Sequence, residues 1–389
     1  MRLGPVIDQD ARGAPPPKLV FYMPGLAVGG AERHTLDLRT RLSALGYPTA
    51  VIVHSDVVSP QMRATPGAED AELLNLRGAP GPASGLRTYR AFRAADADII
   101  VAVNPMRATW AVLLRALGAT RARIVCICHT TLPLPGDERR LPAYRLASRF
   151  VDAMVYVSRN QMAYWTARRL KARESLAIVN GVDLERFSPL AKLRTDARRR
   201  FGLASSDYVV GLLAAFRPEK NHAQLIEAAA RLKRAGVAIK LMFVGDGPTR
   251  QEVVAKAEAA GMGDSVIFAG EHADVRPVIA AFDVGVLCST QVETFSLAAL
   301  ELLASGVPMV MSDIGGASEI IQEGVNGFLF ASGDTDGLTE GLRRLADPSV
   351  RRPLQSRARA SVERFSVASM VERYVDLIER LRPASPGRG

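Results

Sequence analysis

Glu293 and Glu301 stand eight residues apart in Glu293-Thr-Phe-Ser-Leu-Ala-Ala-Leu-Glu301, just after an apolar run that ends at Cys288. Read as one helix, at about 1.5 Å and 100° per residue, that spacing sets the carboxylates roughly 12 Å apart and about 80° around the axis. A nucleophile and acid of one double displacement at a sugar need about 5 Å, so the two glutamates do not form such a pair. They suit the two ends of an elongated ligand, with the backbone N–H groups of Thr294, Phe295 and Ser296 facing a phosphate at the helix N-terminus. Leu297 to Ala304 is otherwise apolar, which makes Glu301 the one charge in a run that should pack.

Arg217-Pro-Glu-Lys220 follows the apolar run 209–216 and so puts two cations in a loop at the carboxyl end of a strand. An arginine fork and a lysine point charge together clamp a diphosphate and stabilise negative charge on a departing phosphate. Gly29-Gly-Ala-Glu-Arg33 holds the equivalent place after an earlier strand, where Gly29 and Gly30 let a ligand approach the backbone and a helix N-terminus. Gly25, Gly29 and Gly30 lack the spacing of a dinucleotide fingerprint, and no Gly-Lys-Ser/Thr makes a phosphate loop. Gly245-Asp-Gly-Pro248 reads equally well as a tight turn and as a ligand loop. His129 directly follows the run 124–128 and puts an imidazole at the same kind of edge. His34, His54, His222 and His272 make no metal-ligand spacing, and Cys126 and Cys128 alternate onto one face of a strand, so no metal is expected. The absence of a Gly-x-Ser-x-Gly elbow argues against a serine hydrolase.

Strands must position these loops. They are expected at 19–23, 50–54, 98–103, 124–128, 153–157 and 177–179, then at 208–215, 240–244, 266–269, 283–288, 308–312 and 327–330, with helical spacing between them, as at 31–45 and 109–117. The rhythm is that of βαβ units, run through twice, and predicts an α/β chain of two doubly wound parallel sheets. The expected parts are a loose tail at 1–17, a first domain at 18–187, a second at 188–365 opening on a basic linker and helix at 188–200, an amphipathic helix at 366–381, and a frayed tail at 382–389. In open parallel sheets a ligand lies beyond the carboxyl ends of the strands, so two such domains facing each other are expected to bind across a cleft.

A chain of 389 residues, 48 % hydrophobic and 23 % charged, exceeds one ordinary core and is too apolar to be disordered in bulk. No stretch is long and apolar enough to span a bilayer, and the first 17 residues lack the apolar centre of a signal peptide. Three cysteines fit a reducing compartment, hence a cytoplasmic location. Residues 1–190 carry 25 basic and 16 acidic groups, so the first half holds +9 of the net +10. That asymmetry points to an anionic partner of the first domain.

Taken in order, Gly-Gly-Ala-Glu-Arg at 29–33, Val-Ser at 157–158, Asn-Gly-Val-Asp at 180–183, Arg-Pro-Glu-Lys at 217–220, Gly-Asp-Gly-Pro at 245–248, Glu-x7-Glu at 293–301 and Ser-Gly-Val-Pro at 305–308 resemble the nucleotide-sugar-dependent glycosyltransferases of family 4, which have the GT-B fold. The resemblance runs from about Lys18 to the last helix. It implies a retaining, metal-independent transferase with no cofactor, whose donor is a nucleotide-sugar, UDP-linked by family prior, and whose acceptor is a polysaccharide, glycolipid or lipid-linked glycan. By that similarity Arg217 and Lys220 hold the donor diphosphate, and Glu301 binds the ribose. Glu293 and the backbone of Thr294 to Leu297 meet the transferred sugar. Gly29 and Gly30 lie beside the phosphates from the first, acceptor-side domain, and His129 approaches the sugar or the acceptor hydroxyl. The last helix crosses back to the first domain. The chain departs from many relatives at Asn221 and Thr294, where they have glycine. A place on the inner face of the cytoplasmic membrane, through the basic first domain, also follows. Two other readings stay open: a GT-B-like sugar-nucleotide epimerase, and a nucleic-acid-binding protein. The second is the weaker, since 6 % aromatics offer few stacking platforms.

Overall fold

The computed structural model describes residues 15–383 except 28, 77–81, 132–136, 189 and 292. Most of both expected tails, 1–14 and 384–389, lies outside the described residues. The chain divides into two compact units, 1–179 with 368–389, and 180–367.

The first unit is built on seven strands, β1 (Leu19–Met23), β2 (Thr49–Ser55), β3 (Glu72–Leu76), β4 (Ile99–Val103), β5 (Arg123–Cys128), β6 (Ala153–Tyr156) and β7 (Glu174–Ala177). They lie in the order β3-β2-β1-β4-β5-β6-β7, every pairing parallel. The central strands β1 and β4 are buried at every residue, which is why they read as unbroken apolar runs. β3 escaped the sequence analysis because it lies at the sheet edge: Glu72 is exposed, Asn75 takes a positive φ of 49°, and the register slips against β2. The opposite edge strand, β7, is only half-buried along its length and starts earlier than the apolar residues at 177–179 suggest.

The second unit repeats the design with β8 (Tyr208–Leu213), β9 (Ile239–Val244), β10 (Val266–Gly270), β11 (Val284–Leu287), β12 (Met309–Ser312) and β13 (Gly327–Phe330), all parallel in the order β10-β9-β8-β11-β12-β13. The division falls at Val179/Asn180 rather than at 187/188 because the Asn-Gly-Val-Asp stretch is tied to the second unit. Val182 donates to Phe365 O at 2.8 Å and accepts from Val367 N at 3.0 Å, while Arg359 reaches Leu184 O at 2.8 Å and Phe187 O at 3.1 Å. The last helix, Val367–Leu381, belongs from Ala368 onward to the first unit, where Glu379 accepts from Tyr47 Oη at 2.5 Å and Arg380 pairs with Glu174 at 2.7 Å.

Each unit uses one buried aspartate to join neighbouring strands. Asp152, before β6, accepts from Ile124 N of β5 at 2.9 Å and pairs with Arg115 at 2.7 Å and Arg123 at 3.1 Å. Burial alone would raise its pKa, but the Ile124 N–H and the two guanidiniums hold it below the ordinary aspartate value. Asp283, before β11, accepts from Val209 N of β8 at 2.8 Å and pairs with Arg194 and Arg198, each at 2.6 Å. Asp283→Ala strands the buried Arg198 without its counter-charge and is expected to cost about 3–5 kcal/mol, read from the denaturant midpoint. An unchanged midpoint would show that the pair does not hold the strands.

Candidate functional site

Strand order reverses once in each sheet, between β1 and β4 and between β8 and β11. At such a reversal the loops leaving the carboxyl ends of the two neighbours run apart and open a crevice. In the second unit those loops are 214–221 and 288–296, and they carry Arg217, Lys220 and Glu293. Lys220 Nζ lies 2.6 Å from Glu293 Oε2, and Ser289 Oγ donates to the same oxygen at 2.7 Å. Glu293 Oε1 takes no hydrogen bond among the described residues. The Lys220 and Glu293 side chains keep 22 % and 10 % of their surface exposed, so the pair is shielded from bulk water without being sealed. Thr290 N donates to Glu219 O at 2.9 Å and stitches the two loops at the backbone. Arg217 stands exposed beside them, its guanidinium without an ion pair or hydrogen bond among the described residues.

The support beneath these loops is specific. Phe216 is buried and stacks on His222 with ring centroids 4.2 Å apart and planes 9° from parallel. Its N–H donates to Asp246 O at 3.0 Å, and its carbonyl accepts from Thr249 N at 3.1 Å. Gly-Asp-Gly-Pro at 245–248 thus braces the segment that presents Arg217, and at Gly245, with φ +136°, a Cβ would fall 2.2 Å from Ala214 O. Asn221 takes φ +48°, a conformation that glycine and asparagine adopt most readily, so replacing glycine there leaves the loop its shape.

The helix at the second loop starts later than the sequence reading placed it, at Leu297–Ala304, with Ser296 as its cap and Ser296 Oγ accepting from Ala299 N at 3.3 Å. Glu293 therefore precedes the helix, and the 12 Å helical separation from Glu301 does not apply. The first helical N–H groups are those of Leu297, Ala298 and Ala299, while Thr294, Phe295 and Ser296 form a buried lead-in. Phe295 anchors that lead-in. Its carbonyl accepts from Asn180 Nδ2 at 2.9 Å, and its ring meets Phe365 edge-on at 5.3 Å. Glu301 is half-buried on the helix, between the buried Leu300 and Leu302. Gly315 was missed by sequence reasoning, although a Gly-Gly pair after a strand is its signal. Its φ is +58° and a Cβ there would fall 2.0 Å from Glu293 O, which also accepts from Gly316 N at 3.2 Å.

In the first unit, Gly29 caps the helix Gly30–Ala44 after β1, at the reversal point of that sheet. The Glu32 carboxylate already faces this helix start, 2.5 Å from where a Gly29 Cβ would lie, which disfavours an anion in the same place. His129 follows β5, and its N–H donates to Asn104 Oδ1 at 3.2 Å. Its Nε2 is enclosed and has no partner among the described residues, so the ring does not simply open to solvent. His34, one turn into the helix Gly30–Ala44, meets His129 edge-on at 5.0 Å and Tyr374 of the last helix at 6.1 Å. Both His34 nitrogens and Tyr374 Oη are also unpartnered among the described residues. Burial pushes the His34 pKa down to about 4; burial, then the neighbouring His34, pushes His129 well below the ordinary imidazole value. Neutral rings are thus favoured, and neither was predictable from spacing. Among the described residues no group of three or more His, Cys, Asp or Glu side chains is placed to hold a metal ion.

The family model described as Glycosyltransferase Family 4 matches residues 28–186, and the one described as Glycosyl transferases group 1 matches residues 194–361. The Bacillus subtilis protein EpsD, named as a glycosyltransferase, is 31 % identical over 61 % of this chain and 62 % of its own length, so the chain spans less than two thirds of that relative. An Escherichia coli UDP-Gal:alpha-D-GlcNAc-diphosphoundecaprenol alpha-1,3-galactosyltransferase is 28 % identical over 68 % of this chain and 72 % of that protein. The crystal structure of Anabaena HepE in complex with UDP-glucose superposes with a TM-score of 0.82 at 22 % identity, covering 94 % of this chain and 100 % of that one. The fold is GT-B.

The enclosed imidazoles make stability depend on acid. Above pH 6.5 folded and unfolded chains both hold His34 neutral, and nothing is lost. As pH falls through 6.5 toward 4, the unfolded chain takes the proton first and stability drains away, by about 2 kcal/mol between pH 7 and pH 5 from this residue. His34→Phe is expected to remove that share of the difference between denaturant midpoints at the two pH values. An identical pH difference in wild type and variant would show that His34 is not held neutral.

Proposed function

The chain belongs to the family 4 and group 1 glycosyltransferases, and from that premise we propose that it moves a sugar from a nucleotide-sugar donor to a glycan or lipid-linked acceptor. The observation that carries the reading is the Lys220–Glu293 pair at the strand reversal of the second sheet, with Arg217 exposed beside it. Two cations within one short loop match the charge and reach of a diphosphate. Glu293 spends one carboxylate oxygen on Lys220 and Ser289 and keeps the other for a sugar hydroxyl. Glu301 is assigned to the ribose hydroxyls. The donor is taken as a UDP-sugar, in keeping with the UDP-glucose bound to HepE and the UDP-Gal named for the E. coli relative.

In the proposed reaction the bond from the anomeric carbon to the diphosphate oxygen breaks, and the acceptor hydroxyl oxygen bonds to that carbon on the same face, which retains configuration. The acceptor proton passes to the departing diphosphate. Lys220 and Arg217 stabilise the negative charge that gathers on the leaving oxygens, a task that in this proposal needs no metal ion. No second carboxylate is required as a nucleophile. Gly29, Gly30 and His129 stay candidates for the acceptor side, held at the carboxyl edge of the first sheet.

Melting shifts across UDP-glucose, UDP-galactose, UDP-N-acetylglucosamine and GDP-mannose are expected to pick out one donor nucleotide. Lys220→Ala and Glu301→Ala are each expected to abolish that shift and to cut acceptor-dependent transfer by at least about a hundredfold, Lys220 through the loss of about 3 kcal/mol of charge stabilisation and Glu301 through the loss of its hydrogen bonds to the ribose. Transfer is expected to survive chelation of divalent ions. Turnover at the wild-type rate in both variants would overturn the site; nucleotide release without any acceptor would favour an epimerase or a hydrolase.

A further inference from the structure

β4 ends at Val103 and the helix after it begins at Pro105, so the one residue between them, Asn104, is both the last step of the strand and the cap of the helix. Asn104 N donates to Ile127 O at 2.8 Å, which carries the β4–β5 ladder one step past the register pair of Val103 and Ile127. The next bond of a parallel ladder would run from His129 N to the Asn104 carbonyl. That carbonyl is already engaged. It accepts from Ala108 N at 3.2 Å and closes the first turn of the helix Pro105–Ala116. The side chain takes its place, and His129 N donates instead to Asn104 Oδ1 at 3.2 Å.

Asn104 gives up two ordinary advantages to do this. An asparagine before a helix usually accepts from that helix's own first N–H groups, and this one makes no such cap. Its φ of 73° with ψ of 157° falls in a region natural to glycine and strained for a residue with a side chain. Glycine would release the strain but leave His129 N–H without its acceptor. The chain is also fixed beyond the histidine. Thr130 O accepts from Gln161 Nε2 and from Trp165 Nε1, each at 2.9 Å, and both side chains are buried. Gln161 is held in turn by Val157 N, which donates to its Oε1 at 2.8 Å. The His129 ring rests edge-on against the buried His34 at 5.0 Å. Backbone groups of Ile127, His129 and Thr130 are thus each tied to another element, a degree of restraint that a loop serving only to turn the chain does not need.

The geometry points to Asn104 as a positioning residue for the transfer reaction: in its strained conformation it holds His129 by the backbone, so that the imidazole is fixed for the acceptor hydroxyl at the carboxyl edge of the first sheet. Asn104 touches no substrate in this scheme. It acts through His129, and the strain is kept because a small displacement of a reacting group costs much more in rate than the strain costs in stability. The inference rests on the proposed function in one respect, the place of His129 on the acceptor side.

The test is transfer to decyl glycosides of glucose, galactose and N-acetylglucosamine, from whichever of the four nucleotide-sugars gives the melting shift, with kcat, KM and the denaturant midpoint measured for each full-length variant. Asn104→Gly is expected to keep its midpoint near the wild-type value, since released strain offsets the lost hydrogen bond. Its kcat is expected to fall by at least about tenfold while the donor KM and melting shift stay unchanged. Asn104→Asp keeps an oxygen where His129 N–H needs one and is expected to recover most of the rate. Asn75→Gly makes the same change at another positive-φ asparagine, φ 49° on the edge strand β3, and is expected to turn over as wild type. His129→Ala is expected to lose at least as much rate as Asn104→Gly, and the double variant Asn104→Gly/His129→Ala to be no slower than His129→Ala alone. Wild-type kcat in Asn104→Gly overturns the proposal, and so does an Asn104→Asp as slow as the glycine variant. Additive losses in the double variant also overturn it, because they put the carboxamide on the substrate itself. Wild-type turnover in His129→Ala removes the acceptor-side reading and the proposal together, whereas a slow His129→Ala beside a fast Asn104→Gly removes the proposal alone.

Discussion

A reversal of strand order, more than any single residue, governs what each unit can do. A parallel sheet wound in one direction sends every crossover the same way, and its loops crowd one another at the carboxyl edge. Where the direction of winding reverses, between β1 and β4 and again between β8 and β11, two loops part and backbone is left uncovered. The second unit fills that gap with charge: the Lys220–Glu293 pair, 2.6 Å long, ties the parted loops together while leaving Arg217 and one oxygen of Glu293 uncommitted. In the proposed reading Lys220, which also reaches Ser289 Oγ at 3.4 Å, exchanges part of its contact with Glu293 for a diphosphate, whose charge is larger and whose oxygens are more numerous. The pair fastens the two loops, and the neighbouring glycines serve it. Gly245 lets the brace approach Ala214, and Gly315 lets the next loop lie against the Glu293 carbonyl.

Legibility in the sequence followed burial. β1 and β4 are buried at every residue and so read as unbroken apolar runs, and they, like the largely buried β8 and β12, could be located to within a residue or two at most boundaries. β3 has one exposed edge and a bulge, and its Glu72-Leu-Leu-Asn-Leu76 carries no period that separates it from a loop. The same distinction divides the site. Arg217, Lys220 and Glu293 could be singled out because charges immediately after apolar runs are conspicuous. The start of the helix at Leu297 was harder to place, since Thr294, Phe295 and Ser296 are as apolar or as small as true helical positions, and the cap at Ser296 is one hydroxyl among several.

Tertiary pairing was the least legible feature. Nothing in the chain order brings His34 to His129, ninety-five positions later, or Tyr374 to His34. The contact arises because the first-unit helix after β1, the end of β5 and the last helix pack together, and a period of 3.6 or 2 in one segment holds no record of another. The Asn-Gly-Val-Asp stretch is similar: its residues look like the end of a domain, yet Asn180 holds Phe295 and Val182 bridges to the strand-like segment at Ser366.

The distribution of charge separates two tasks that net charge alone would merge. The second half is nearly neutral in total, although it carries the cations assigned to the donor, because a binding loop needs two well-placed charges rather than a field. The excess lies in the first half, and much of it stands at the amino ends of β5 to β7, a strand length of roughly 20 Å from the carboxyl edge that holds His129. Cations a strand length from the carboxyl edge, with water and salt between, add little to the binding of a small anion at that edge. A parallel sheet has two loop-bearing edges, and in the first unit much of the excess positive charge lies on one while His129 lies on the other.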